Sequence, residues 1–251
     1  MSDASLKNDD TLRTADHAAL APKADEETLK VVERAVDQLW SVVNELSQVR
    51  PAQPEFYRVA IFGSARTQPG TPAYDEVKEL ARRLALLGVD IVTGGGPGLM
   101  QAANEGENLG DPENRTRSYG IRVELPFEQG ANPFVEKVYT HRTFYSRLAQ
   151  FMRLSSAFVI VRGGVGTTLE TMMVWQLLQV RHVHDVPLVF VGKMWRELVE
   201  WAQRNMVECA SPLANAEDMK IPVCVDDVDQ AMAVLEPHIA RFRAARTKPT
   251  P

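Results

Sequence analysis

The chain has 251 residues, 45% of them hydrophobic, with 28 Lys and Arg against 33 Asp and Glu for a formal net charge of −5. That length buries a full core and suits one large α/β domain, and the acidic balance without a long basic run argues against broad electrostatic binding of nucleic acid or an anionic membrane, leaving local capture of small anions. The two cysteines, Cys209 and Cys224, make neither a CxxC nor a disulfide framework, no apolar run is long enough to cross a bilayer, and Met1-Ser2-Asp3-Ala4 does not open a basic-then-apolar leader; a cytoplasmic protein is expected, with both thiols as packing residues.

Residues 1–24 are polar, Ala-rich and aperiodic, the composition of a disordered arm without chemistry. Across 25–50, Leu29, Val32, Val36, Leu39, Val43 and Leu46 recur at three- and four-residue steps, predicting an amphipathic helix that packs on the domain or on a partner subunit. Arg50-Pro51-Ala52-Gln53-Pro54 ends it, because a residue before proline is pushed out of helical geometry. A single nucleotide-binding domain is expected over 56–246. Its elements alternate: strand 58–62, helix 73–87, strand 89–93, helix 97–108, strand 118–124, a loop from Leu125 to Asn132, a short strand at 135–140, helix 143–154, strand 157–161, helix 167–180, strand 186–191, helix 194–207, strand 221–225 and a helix from 227. Short apolar strands alternating with amphipathic helices predict a Rossmann-like, doubly wound α/β fold, mainly parallel, with helices on both faces.

Two strand-to-helix turns in this series are rich in glycine: Thr93-Gly94-Gly95-Gly96-Pro97-Gly98-Leu99-Met100 and Gly163-Gly164-Val165-Gly166-Thr167-Thr168-Leu169-Glu170. Glycine lets the backbone approach a ligand closely, and the N–H groups opening the next helix point at an anion, for which phosphate is the natural candidate. Both turns, and Gly63-Ser64-Ala65-Arg66 after the first strand, fall at the carboxyl ends of strands, where doubly wound sheets bind ligands. Glu170 follows Gly166 by about one helical turn, within reach of a sugar beside that phosphate. A Walker loop needs Gly-Lys before Ser or Thr, and neither turn has the lysine. The dinucleotide fingerprint is not matched either, since only the first of its three glycines is present in Gly63-Ser64-Ala65-Arg66-Thr67-Gln68. The His182 and His184 pair lacks a third ligand nearby in sequence and reads as a polar turn, and no lysine is placed for a pyridoxal Schiff base; no metal and no cofactor are expected.

Gly94-Gly95-Gly96-Pro97-Gly98-Leu99-Met100 and Gly163-Gly164-Val165-Gly166-Thr167-Thr168-Leu169-Glu170 resemble the paired signatures GGGxxGxM and PGGxGTxxE of the Lonely Guy family, phosphoribohydrolases long mislabelled lysine decarboxylases. Phe62-Gly63-Ser64-Ala65-Arg66 with Pro72-Ala73-Tyr74, and the run from Gly120 to Asn132, resemble its longer bacterial branch, so the likeness covers roughly residues 56–207. The resemblance implies hydrolysis of the N-glycosidic bond of a nucleoside 5′-monophosphate, of the AMP or cytokinin riboside type, to free base and ribose 5-phosphate. It implies Glu170 as the carboxylate facing the oxocarbenium-like transition state, and Arg147 as a cation for substrate phosphate or departing base. Gly63, Ser64, Gly95, Gly96, Gly98, Met100, Arg162, Gly163, Gly164, Gly166, Thr167 and Thr168 would then line the nucleotide and its phosphate. Two positions depart from the pattern: the lysine that usually follows the arginine is Leu148, and the proline opening the second signature is Arg162. A non-catalytic carrier of a phosphorylated ligand, such as the molybdenum cofactor, and a nucleotide sensor are the alternatives those departures raise. Met172, Met173, Trp175, Leu177 and Leu178 make the helix after Glu170 apolar on nearly all sides, which means full burial or a subunit interface; family members pair here, implying a homodimer through the helix containing Glu170 and Trp175.

Overall fold

The computed structural model of the protein describes residues 27–36, 39, 55–124 and 130–246. The chain divides into two units, Met1–Arg50 and Pro51–Pro251. In the first, residues 27–36 form helix α1, which carries Leu29, Val32 and Val36 of the expected stripe. The arm at 1–24, the Pro51–Pro54 connector and most of the Leu125–Asn132 loop lie outside the described residues.

In the second unit the strands β1 (Arg58–Phe62), β2 (Asp90–Thr93), β3 (Ser118–Val123), β4 (Lys137–His141), β5 (Ala157–Ile160), β6 (Leu188–Val191) and β7 (Pro222–Val225) form a seven-stranded sheet in the order β4-β3-β2-β1-β5-β6-β7. Every pairing is parallel, so the sheet is wholly rather than mainly parallel. The helices are α2 (Pro72–Leu86), α3 (Leu99–Gly110), α4 (Phe144–Leu154), α5 (Val165–Gln179), α6 (Lys193–Ala202) and α7 (Val228–Arg246). The end expected of the helix at 194–207 is a separate π-helical turn, Gln203–Val207.

Alternation along the strands sorts the helices into two layers. Val59 and Ile61 of β1 face one core with Leu80 and Leu84 of α2, Ala102 of α3 and Leu235 of α7. Ala60 and Phe62 face the other, with Phe151 of α4, Trp175 of α5 and Trp195 of α6. A period of two puts successive side chains on opposite faces, and a strand buried on both must be apolar throughout, as Arg58-Val59-Ala60-Ile61-Phe62 is after its first residue. Phe62 meets Phe151 edge to face at 4.8 Å between ring centroids, fixing α4 beneath the end of β1.

Strand β1 is central. Its first crossover leads to β2 on one side, and β5 lies on the other, so the strand order reverses at the β1–β5 seam. A crevice opens outside the carboxyl ends of strands at such a reversal, and the loops after β1, β2 and β5 all end there. Among the described residues no helix is long and apolar enough to cross a membrane.

Candidate functional site

Ser64 clasps the three loops. Its backbone N–H donates to the Arg162 carbonyl at 2.9 Å, and its own carbonyl accepts the N–H of Leu99, the first residue of α3, at 2.8 Å. The approach is close enough to demand glycine on both sides. A Cβ at Gly63 would meet Val161 Cγ2 at 2.7 Å, and one at Gly98 would collide with the Ser64 carbonyl; Gly98 has φ of +71° and ψ of −134°, a region closed to other residues.

The first glycine turn is held from below by a buried amide network. Thr93 Oγ1 donates to Asn104 Oδ1 at 2.8 Å and accepts the Gly95 N–H at 2.9 Å. Asn104 Nδ2 donates to Ser118 Oγ at 2.7 Å, and Asn132 Nδ2 donates both to Asn104 Oδ1 at 3.0 Å and to the Gly96 carbonyl at 2.9 Å. Met100 turns back over Gly94 and Gly96, its sulfur and terminal methyl filling the space side chains there would take. Asn104 and Thr93 are absent from the sequence-based set of site residues. The signal for Asn104 is its place on the otherwise apolar stripe Leu99, Ala102, Ala103, where a polar residue must find partners indoors.

The second turn is different in kind. Gly163 abuts Thr167, which is buried, but a Cβ at Gly164 or Gly166 would meet nothing within 4 Å. Helix α5 opens here with no side-chain cap; Thr168 closes the first turn, its N–H donating to the Gly164 carbonyl at 2.9 Å and its hydroxyl to the same oxygen at 3.0 Å. The first amides of this 15-residue helix thus have no side-chain cap, and the positive end of the helix dipole lies behind them. Trp195 Nε1 donates to the Val161 carbonyl at 3.0 Å, bracing the turn from α6 in place of the missing proline.

Glu170 and Arg147 meet. Arg147 Nη1 lies 2.5 Å from Glu170 Oε1, with side chains 13% and 10% exposed, while Arg147 Nε donates to the Ile121 carbonyl at 2.9 Å. The guanidinium carbon sits 5.1 Å from the centre of the Phe151 ring, and Nη2 faces Gly94. One cation therefore ties α4 to β3, to the first glycine turn and to α5. Burial pushes the Glu170 carboxyl above the usual glutamate range, and the charge and hydrogen bond of Arg147 pull it back. Sequence reasoning put both residues at one mouth without the contact between them.

Leu148, next on α4, is only 8% exposed, so this position packs inward. Arg162 is solvent-exposed, and its side chain makes no hydrogen bond or ion pair among the described residues. Trp175 is buried and donates from Nε1 to the Asp218 carbonyl at 2.8 Å, so it serves its own fold; Leu169 and Met172 of the same helix are exposed, so of the two expectations for this apolar helix, full burial or a subunit interface, full burial is the one it does not meet. Both cysteines are free and half-buried.

A family model described as "Possible lysine decarboxylase", the old label of the Lonely Guy family, matches residues 100–235, more than half of the chain. The chain belongs to the Lonely Guy family. Its curated relatives carry nucleotide-cleaving names. A pyrimidine/purine nucleotide 5′-monophosphate nucleosidase of Escherichia coli is 28% identical over 125 residues, 47% of this chain and 28% of that protein, so the chain spans just over a quarter of the length of that relative. A cytokinin riboside 5′-monophosphate phosphoribohydrolase of Arabidopsis thaliana is 25% identical over 189 residues, 74% of this chain and 85% of that one. Among solved structures, the molybdenum cofactor carrier protein of Chlamydomonas reinhardtii superposes with a TM-score of 0.54 at 18% identity, covering 74% of this chain and 99% of the other. The molybdenum cofactor binding protein of Rippkaea orientalis does so with 0.55 at 14%, covering 74% and 98%. These two likenesses show the fold that Lonely Guy proteins share with them.

Proposed function

We propose that the chain hydrolyses the N-glycosidic bond of nucleoside 5′-monophosphates, releasing free base and ribose 5-phosphate. The observation that carries this reading is the buried Arg147–Glu170 pair, one helical turn behind an open, uncapped helix N-terminus. Phosphate rests against the amides after Gly163, flanked by Gly164, Gly166, Thr167 and Thr168, and the ribose then lies over Glu170. As the C1′–N bond breaks, its electron pair leaves with the base and positive charge grows on the ribose. A carboxylate in a site of low dielectric stabilises that charge far more than it stabilises the neutral sugar. Water adds to C1′, and its proton goes to the base. Arg147 is committed to Glu170 and to Ile121, so its role is to keep the buried carboxyl ionised and aimed, rather than to hold the phosphate.

The same reading places the protein in the cytoplasm as a homodimer, with AMP or a cytokinin riboside monophosphate as substrate. The names of the E. coli and Arabidopsis relatives support the reaction class. The test is base release, followed by chromatography, from a panel of purine and pyrimidine monophosphates. Glu170→Gln, which keeps the volume and removes the charge, is expected to lower turnover at least about 100-fold, the scale of losing one transition-state electrostatic contact. Turnover within twofold of the wild type would overturn the assignment. The second reading, a carrier of a phosphorylated ligand, draws on buried Leu148 in place of a lysine; it predicts stoichiometric binding without product.

A further inference from the structure

We infer that Glu107 is a neutral carboxylic acid at neutral pH, sharing its proton through Thr116 with Asp111, and that this proton locks the turn between α3 and β3 and makes the stability of the fold depend on pH. The lock lies in the layer of α2, α3 and α7, across the sheet from the layer that carries Arg147 and Glu170, and it holds whichever ligand the crevice takes.

Glu107 is in the last turn of α3 and Asp111 is the residue that ends it; they are 1% and 5% exposed, and Thr116, fully buried, sits between them. Thr116 Oγ1 lies 2.6 Å from Glu107 Oε1 and 2.9 Å from Asp111 Oδ2. Both are hydrogen-bond distances, yet a hydroxyl carries one hydrogen. It donates to one carboxyl only, so the other contact is donated to it, and only a protonated carboxyl can do that. The remaining bonds say which one. Asp111 Oδ2 also accepts the Thr116 N–H at 2.5 Å, and Arg115 Nε lies 3.8 Å from Asp111 Oδ1, so Asp111 is the ionised partner. Glu107 has one oxygen for each task. Its Oε2 accepts from Asn108 Nδ2 at 2.9 Å, which leaves Oε1–H to donate to Thr116, whose own hydrogen passes on to Asp111.

The charges around the two carboxyls agree with this assignment. Among the described residues Glu107 makes no ion pair, and the acid facing it from the start of β4 is Glu136, itself 3.6 Å from Arg117. From α2 the carbonyls of Lys78 and Arg82 approach Gly106 and Gly110, while the charged ends of those residues pair with Glu105 and Glu79. Burial pushes the Glu107 carboxyl above the usual glutamate range; the bonds from Thr116 and Asn108 pull it back, and the charges of Glu136 and Asp111 push it up again. Burial also raises Asp111, but the Thr116 N–H, the Thr116 hydroxyl and Arg115 together bring it below the usual aspartate range. In the unfolded chain Glu107 ionises near about 4.3, so between that value and its raised value folding takes up a proton, and stability falls as pH rises through the window. Above the window Glu107 ionises too, and two negative charges compete for one hydroxyl hydrogen. Asn108 Nδ2 also donates to the Phe134 carbonyl at 3.1 Å, which ties the lock to the segment that carries Asn132.

The test is the infrared difference spectrum of the full chain, wild type minus Glu107→Gln, at neutral pH, together with thermal unfolding of both proteins across pH. Glutamine keeps the shape and the donor–acceptor pair of a neutral carboxyl, since its amide can donate to Thr116 and its oxygen can accept from Asn108. The carbonyl stretch of a protonated carboxylic acid is expected in the difference. The Tm of Glu107→Gln minus that of the wild type is expected to grow by at least about 5 °C between about pH 4.5 and about pH 7.5. Other carboxyls, Glu170 among them, titrate alike in both proteins and cancel. In Asp111→Asn the new amide can donate to Thr116 and free the hydroxyl hydrogen for an ionised Glu107, so the acid band should vanish at lower pH than in the wild type; this measurement stands if Glu107→Gln fails to fold. The inference is overturned by the absence of an acid band at neutral pH, by a Tm difference that stays flat with pH, or by a band that titrates unchanged in Asp111→Asn. A band that Asp111→Asn abolishes at every pH and Glu107→Gln leaves in place would overturn it as well, by putting the proton on the other carboxyl.

Discussion

Glu170 is a carboxylate kept in an environment that would rather have it neutral. Burial raises its proton affinity, and the facing guanidinium offsets that rise. On the proposed mechanism the ionised form is the one that stabilises an oxocarbenium, so activity is expected to fall as pH drops through the raised carboxyl pKa, with the acid limb of kcat/KM above the ordinary glutamate value of about 4.3. Arg147→Met removes the offsetting charge and should move that limb to higher pH, with the plateau reached later or not at all. A pH–rate profile of the variant superimposable on that of the wild type would show that Arg147 does not control the ionisation of Glu170. The chemistry of each residue was legible one at a time, as a glutamate after a glycine turn and an arginine on the preceding helix. Their pairing was not, because 23 residues of chain separate them and only the seating of α4 and α5 on one sheet face closes the 2.5 Å contact.

At the scale of elements, the two glycine turns look alike in sequence and differ in what their glycines are for. Gly98 is structural: its backbone occupies a glycine-only region, and the Ser64 carbonyl fills the place of a side chain. Gly98→Ala is expected to cost at least about 2 kcal/mol, or roughly 4–8 °C in Tm for a domain of this size. Gly164 has φ of −103° and open space before it, so Gly164→Ala should leave Tm within about 2 °C while weakening phosphate binding, since its methyl enters the space left for the anion. Thermal unfolding with and without phosphate separates the two effects, and equal destabilisation by both variants would contradict the distinction. Alternation of apolar strands and amphipathic helices was enough to place nearly every element. What it missed has local causes: α5 begins at Val165, because an exposed valine can open a helix, and the helix at 194–207 widens to a π turn that no residue pattern marks. The Thr93–Asn104–Asn132 network was hidden because amides from separate segments bond to one another only after the sheet brings them together.

For the molecule as a whole, one unfinished apolar surface among the described residues is on the layer that carries α4 and α5. Val165, Leu169 and Met172 are 90%, 48% and 40% exposed and recur at four- and three-residue steps, with Phe144 and Tyr145 also exposed at the start of α4. A second copy seated on this stripe would cover it beside the crevice mouth, and a stable pair needs to bury about 1,200–2,000 Å² in total. Sedimentation should find the wild type as a dimer and Met172→Glu shifted to monomer; a monomeric wild type at micromolar concentration would rule this surface out as the dimer contact. The fold class was readable from the βα rhythm alone, whereas strand order was not, since periodicity reports what each strand buries and not which neighbour it chooses.

That order sets a schedule. Arg58 at the start of β1 bonds Ser156 at the entrance to β5 across 98 residues of sequence, and β1 pairs with β5 along its length. As the chain leaves the ribosome, β1, β2 and their helices can assemble, yet one edge of β1 stays unpaired until β5 arrives. The Ser64–Arg162 clasp and the Glu170–Arg147 pair both wait for that event. On the proposed function, half-made chains are therefore expected not to hold a nucleotide, and a nucleotide in the cell is expected to stabilise only molecules that have finished folding.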